Sequence, residues 1–276
     1  MFSDISAKVR LEAKLRGFSE HTVKTYARNV ELFFKAVQKR PEKVKVDDIK
    51  LYLVGLMDKG LDNRTVCKIR AALRFYFDEV LQKGLVGQVK APKFNEKLPE
   101  NVLTKDEVRQ LFKAAKDLRE TMLLHMLYTQ GLRAQECVSL EIKNLDLTAG
   151  RIEVRHGKGA KSRANSLQSI VIQDSKQYLQ NLNSTKWLFP SPQQPEKHLT
   201  TRTAQRIINE LATRAEIAKH VHCHLLRHSV ATHLLEDGYD IRVIQKYVGH
   251  AKIGTTEIYT RVSDKLLKDV KVSAIN

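Results

Sequence analysis

Four short stretches concentrate side chains able to bind or attack a phosphate: "GLRAQE" (131–136), "HGKGAK" (156–161), "HLLRH" (224–228) and "VGHAKIGTTEIYT" (248–260). In the third, His224 and Arg227 stand three residues apart and so share one side of a helix. A guanidinium is always charged and offers paired donors in a plane, while an imidazole donates or accepts near neutral pH. Such a pair suits a tetrahedral phosphate. Taken singly, each stretch has an ordinary structural explanation: Gly-Leu-Arg often opens a helix, Gly-Lys-Gly is a common basic turn, and Tyr259 alone could be a packed aromatic. His228, one turn after His224, reads as a packed or surface histidine bonded to backbone. His233 and Tyr247 read as structural, and Tyr239, just after Gly238, as a helix-end residue.

Metal binding is the competing use of so many histidines. His220, His222, Cys223, His224, His228 and His233 include metal-like spacings, with His224 and His228 one turn apart. Yet HExxH is absent, Cys223 has no second thiol near it in sequence, and no carboxylates cluster there. Neither a metal nor a cofactor is expected.

These groups need elements to hold them. Residues 4–90 read as a helical bundle of about four members. Ser19 caps a helix with Val23, Tyr26, Val30 and Phe33 or Phe34 on one side. Asp47 can cap a second, carrying Ile49, Tyr52, Leu53 and Leu56 and ending at Gly60. Asn63 can cap a third through Val66, Ile69, Leu73, Tyr76, Phe77 and Val80, with Gly84 as its stop. "APKFNEKLPENV" (91–102) has no period and reads as an extended linker. Thr104 and Glu107 then form a capping box before Val108, Leu111, Phe112 and Ala115. Ile152 and Val154 alternate with charged residues ahead of "GKGAK", which reads as a hairpin in an otherwise helical region. Helices resume at Asp174, after Thr201 and around "CHLLRHSVATHLL" (223–235). That last helix is expected to pack on one side and present its phosphate-binding groups on the other.

The 276 residues suffice for two domains, and the net charge is +17. Up to residue 92 there are 19 Lys+Arg against 11 Asp+Glu, and beyond it 29 against 20. An excess of +8 and then +9 suits a polyanion gripped from two sides, with nucleic acid the first candidate. Cys67, Cys137 and Cys223 lie far apart, which argues against a disulfide framework and for a reducing compartment. No leader pattern opens the sequence and no apolar run approaches the roughly 18 residues of a membrane span, so a cytoplasmic setting is expected.

In order and spacing, "GLRAQE", "HLLRHSVATHLLEDG", "VGH" and "TTEIYT" resemble the tyrosine recombinases, the phage-integrase family. "ATHLLEDGYDIRVIQKYVGH" looks especially like the Xer-type chromosome-dimer resolvases and their archaeal relatives. The similarity runs through residues 104–265, ending in a tyrosine nine residues after His250. The helices before it resemble that family's core-binding domain. The resemblance implies a mainly α fold: a SAM-like helical bundle (1–92), a linker (93–102) and an α-rich catalytic domain with a small antiparallel sheet (103–276). It implies that Arg133 and Arg227 hold the non-bridging oxygens of one DNA phosphate. Lys158 would protonate the departing 5′ oxygen, His224 and His250 would complete the pocket, and Tyr259 would be the nucleophile. Glu136 would support Arg133.

The implied partner is a double-stranded recombination site, on which the "TRVSDKLLKDVKVSAIN" tail would dock onto a neighbouring subunit in a tetramer. The implied reaction is metal- and ATP-independent strand exchange through a 3′-phosphotyrosine, as in Xer-type chromosome dimer resolution. Topoisomerase IB-like relaxation and a non-catalytic DNA-binding regulator are the rival readings. The chain departs from the family where an apolar strand residue and a proline usually follow the hairpin turn: here stand Asn165 and Ser166. A looser hairpin is the expectation from that change. Val248 stands where Leu is more usual, a swap without consequence.

Overall fold

A computed structural model describes residues 2–93, 102–154 and 162–249 of the chain. It divides into two compact units, Met1–Glu96 and Lys97–Asn276.

The first unit consists of α1 (Phe2–Leu15), α2 (Glu20–Val37), α3 (Val46–Asp58) and α4 (Asn63–Arg74), the bundle that the periodicity predicts. The Ser19 hydroxyl accepts the Thr22 N–H at 3.2 Å, as its position before α2 implies. Two caps differ from expectation. α3 begins at Val46, and the carboxylate that reaches back to a free N–H is Asp48, on Lys45 at 2.9 Å. Asp47 already lies inside the first turn, where its charge still favours the positive helix end. At α4 the cap is Asp62, accepting from Arg64 N–H at 3.0 Å. The Asn63 amide is used elsewhere, donating to the carbonyl of Lys93 at 2.8 Å.

Beyond Arg74 the helix widens into a π-helical segment, Phe75–Val80. Phe75, Tyr76 and Phe77 are consecutive and all buried. Phe33 meets Phe34, Tyr52 and Phe77 edge-on, with ring centroids 5.1–5.7 Å apart. Phe33→Ala should therefore cost about 3–5 kcal/mol, read as a fall in the urea midpoint of the first unit.

The second unit surrounds its own core. α5 (Lys105–Ala114) opens on the predicted capping box: the Glu107 N–H reaches the Thr104 hydroxyl at 3.1 Å, and the Thr104 N–H reaches the Glu107 carboxylate at 2.7 Å. α6 (Leu118–Leu124) continues into a second π-helical segment, His125–Thr129, before the short α7 (Ala134–Val138). β1 (Leu145–Asp146), β2 (Arg151–Val154) and β3 (Arg163–Ser166) form an antiparallel sheet in that order. Ile152 faces Asn165 and Val154 faces Arg163 across the β2–β3 pair. The turn joining these strands lies outside the described residues.

α8 (Ser169–Gln180) starts five residues before Asp174. Its core face, Val171, Ser175 and Tyr178, carries a serine at a buried position, which hides the helical period in the sequence. Asp174 is no cap: its carboxylate is hydrogen-bonded to His125 Nε2 at 2.9 Å, mostly buried. α9 (Thr201–Arg214) follows a Thr200 cap, then come α10 (Cys223–Glu236) and α11 (Ile241–Val248).

α10 is the central element, and it is buried around most of its circumference rather than on one face. His233 shows how it is held. Its Nε2 lies 2.8 Å from the Leu103 carbonyl, which can only accept, so this nitrogen carries the proton. Nδ1 must then accept from the Tyr128 hydroxyl at 2.9 Å. The Tyr247 hydroxyl likewise donates to the Thr129 carbonyl, tying α11 to the π-helical segment. Both residues are structural, as read from the sequence. Among the described residues no helix is long and apolar enough to cross a membrane.

Candidate functional site

The π-helical turn after α6 decides where the first arginine stands. Its widened hydrogen bonds run from Gln130 N–H to the His125 carbonyl at 2.8 Å and from Leu132 N–H to Met126 at 3.0 Å. The chain then reverses at Gly131, whose φ is +59°. A Cβ there would meet Val248 Cγ1 at 3.2 Å, so both backbone and space call for glycine. Arg133 follows in extended conformation immediately before α7. Its guanidinium donates to Glu136 Oε1 at 2.7 Å and to the Gly249 carbonyl at 2.8 Å, leaving 39% of the side chain exposed.

Arg227 reaches the same turn from α10. It has no accessible surface and donates through Nη1 to the carbonyl of Gly131, two residues before Arg133. His224, three residues before Arg227, is the exposed residue in the first half of α10. Partial burial of its ring, then the charges of Arg227, His222 and Arg133, hold its pKa below 6.5. His228 stacks edge-on against His224, with ring centroids 4.3 Å apart. Burial first, then His224 and Arg227, push His228 down to about 4, so both rings are neutral at physiological pH.

Glu136 supplies the negative charge. Its side chain is 8% exposed and accepts from the Arg133 N–H at 2.9 Å, from Arg133 Nη1, and from Arg163 Nη2 at 3.0 Å. Burial opposes ionisation, yet the Arg163 hydrogen bond and the Arg133 N–H outweigh it and hold the carboxyl at about 2.

Arg163 and its neighbour Asn165 escaped the sequence reading as site residues. Both point inward from β3, at 9% and 5% exposure. Asn165 Nδ2 donates to the carbonyls of Gln130 at 3.3 Å and Tyr247 at 3.2 Å. β3 is fastened by polar bonds where an apolar residue is missing, while the turn of the hairpin, expected to be looser, lies outside the described residues. Pairing shows the shared face: Arg163 and Asn165 stand opposite Val154 and Ile152, whose side chains set the inward side.

Lys158, His250, Tyr259 and the C-terminal tail lie outside the described residues. Gly249, directly before His250, ends α11 in the left-handed conformation with φ +70°. Among the described residues no group of three or more His, Cys, Asp or Glu side chains could hold a metal ion.

Residues 101–265 match the Phage integrase family, and residues 5–85 match the phage integrase N-terminal SAM-like domain. A tyrosine recombinase XerC from Bacillus licheniformis is 34% identical over 280 residues, spanning 94% of this chain and 91% of the relative. A tyrosine recombinase XerA from Pyrococcus furiosus is 32% identical, spanning 97% and 92%. A crystal structure of XerA recombinase aligns over 98% of this chain and 97% of its own, with 29% identity and a TM-score of 0.57. A lambda integrase dimer bound to a COC′ core site shares the fold, with 17% identity, a TM-score of 0.76 and coverage of 99% and 98%. The chain belongs to the phage integrase family, the tyrosine recombinases.

Proposed function

We propose that this chain cuts and rejoins DNA at a recombination site through a covalent 3′-phosphotyrosine at Tyr259, in the manner of an Xer-type dimer resolvase. One observation carries the reading: Arg133 and Arg227, from two distant segments, meet at the turn at Gly131, and His224 stands one helical turn before Arg227 on α10. A site with two fixed cations and a neutral base is suited to a phosphodiester, whose transition state gathers negative charge on its non-bridging oxygens. Solved relatives of the same fold include an XerH recombinase bound to a palindromic difH substrate in a post-cleavage complex. The net charge of +17 adds a general attraction for the DNA backbone.

The proposed step is balanced. The Tyr259 phenol loses its proton to His224 as its oxygen attacks the scissile phosphorus. The bond from phosphorus to the 5′ oxygen breaks, and Lys158 gives that oxygen its proton. The products are a phosphotyrosine ester and a free 5′-hydroxyl. Attack by the 5′-hydroxyl of a second duplex reverses the step, so strand exchange conserves the bond and consumes no ATP. Arg133 and Arg227 take the charge-neutralising role that divalent metals serve elsewhere, and His250 completes the pocket. The two basic units, 1–92 and 103–276, each bind the duplex, and the C-terminal tail joins subunits into a tetramer on two sites.

A nicked, end-labelled duplex of the target site, incubated with the chain in EDTA, should yield a covalent adduct that Tyr259→Phe abolishes. Adducts on arbitrary duplex would instead indicate relaxation activity, and none at all a DNA-binding protein without catalysis. The pH dependence follows from His224. Its pKa lies below 6.5, so it remains a neutral base at pH 6.5 and above and is lost as a base only on further acidification. The acid limb of cleavage at subsaturating DNA, which reports the free protein, should accordingly have its midpoint below pH 6.5, and a midpoint above that value contradicts His224 as the base.

A further inference from the structure

We infer that the inward face of β3 is a positioning device: Arg163 and Asn165 fasten the catalytic hairpin to the turn bearing Arg133 and to the helix leading into His250. The inference rests on the catalytic reading given above.

An inward strand face normally carries apolar side chains, because an unpaired buried polar group costs free energy. β2 obeys this with Ile152 and Val154, whereas β3 turns Arg163 and Asn165 to the same side. Neither residue packs idly. Arg163 donates through Nη2 to Glu136 Oε2 at 3.0 Å, and Glu136 in turn holds both the backbone N–H and the guanidinium of Arg133. One carboxylate therefore sits between two guanidiniums, one of them on the strand that follows the Lys158 turn. Asn165 spans a second pair of elements, through the carbonyl of Gln130 just before Gly131 and that of Tyr247 near the end of α11. Arg133 closes the ring by donating to Gly249, the residue before His250.

The consequence is geometric. The hairpin, the Arg133 turn and the end of α11 each carry one proposed catalytic group, and β3 is bonded to the other two. Removing a bond from β3 leaves every catalytic side chain in the protein and still lets them drift apart. Misplacement of reacting groups by about 1 Å can cost on the order of 100-fold in rate. DNA affinity, which depends on many phosphate contacts spread over both units, should change little. Neither residue touches the reacting atoms in this scheme, so both are positioning residues.

The test is single-turnover cleavage of the nicked duplex, with DNA affinity measured alongside. Arg163→Met and Asn165→Leu should each slow cleavage by tenfold to about 100-fold at saturating DNA, with affinity within about threefold of wild type. Arg163→Lys should recover part of the rate, because an ammonium can still reach Glu136. In a double-mutant cycle, Arg163→Met combined with Glu136→Gln should be no slower than the slower single variant, since Arg163 acts through Glu136. Wild-type rates in Arg163→Met and Asn165→Leu, or multiplicative losses in the double variant, would overturn the inference. Should Arg163→Met fail to give a cooperative melt, Arg163→Lys and Asn165→Leu still decide: unchanged rates in both refute it. Failure of wild type itself to form an adduct would refute the catalytic reading instead.

Discussion

The hydrogen bond from the buried guanidinium of Arg227 to the carbonyl of Gly131 is the constraint on which the second unit is organised. A permanent charge without accessible surface is tolerated only where the surrounding polar groups are arranged for it. Here that arrangement begins with a glycine, because φ of +59° and the proximity of Val248 exclude a side chain at the accepting residue. The π-helical turn at His125–Thr129 delivers the chain to that glycine, and Arg133 emerges two residues later. The position of one arginine thus fixes the turn that presents the other.

Charge balance around this bond explains the rest of the site. Arg133, Arg163 and Arg227 gather within one neighbourhood, and Glu136, held at about 2, is ionised at any physiological pH. His224 and His228 respond by remaining neutral, His228 at about 4. On the reading proposed above, this group of fixed cations meets the phosphodiester. Its preorganisation matters more than its charge count, since dipoles and cations already in place need no rearrangement as the transition state forms.

Much of this was legible in the sequence. The helical bundle followed from apolar periodicity and the Thr104–Glu107 box from its spacing, and residue type singled out Arg133, His224 and Arg227 as candidates for the phosphate role proposed above. What could not be read arises from choices that only three-dimensional packing settles. Asp47 and Asn63 have cap chemistry, but adjacent Asp48 and Asp62 offer the same chemistry one residue away, and geometry chose them. Asp174 resembles a helix start until His125, 49 residues distant, is seen to claim it. Arg163 and Asn165 look like departures from a strand pattern because their partners, Glu136, Gln130 and Tyr247, come from three other segments. The one-sided view of α10 failed for the same reason: Ser229, Thr232 and His233 are polar in type yet buried, each satisfied by a bond within the unit.

The most direct test of the phosphate-binding role of the arginines is cleavage of a duplex whose scissile phosphate carries a methyl group in place of one non-bridging oxygen. Removing that charge removes the need to neutralise it. Arg133→Ala should be slowed on the order of 100-fold or more on the ordinary diester, and should regain most of that loss on the methylphosphonate. Equal impairment on both substrates would mean that Arg133 does not act on the phosphate, and the convergence of Arg133, His224 and Arg227 would need another explanation.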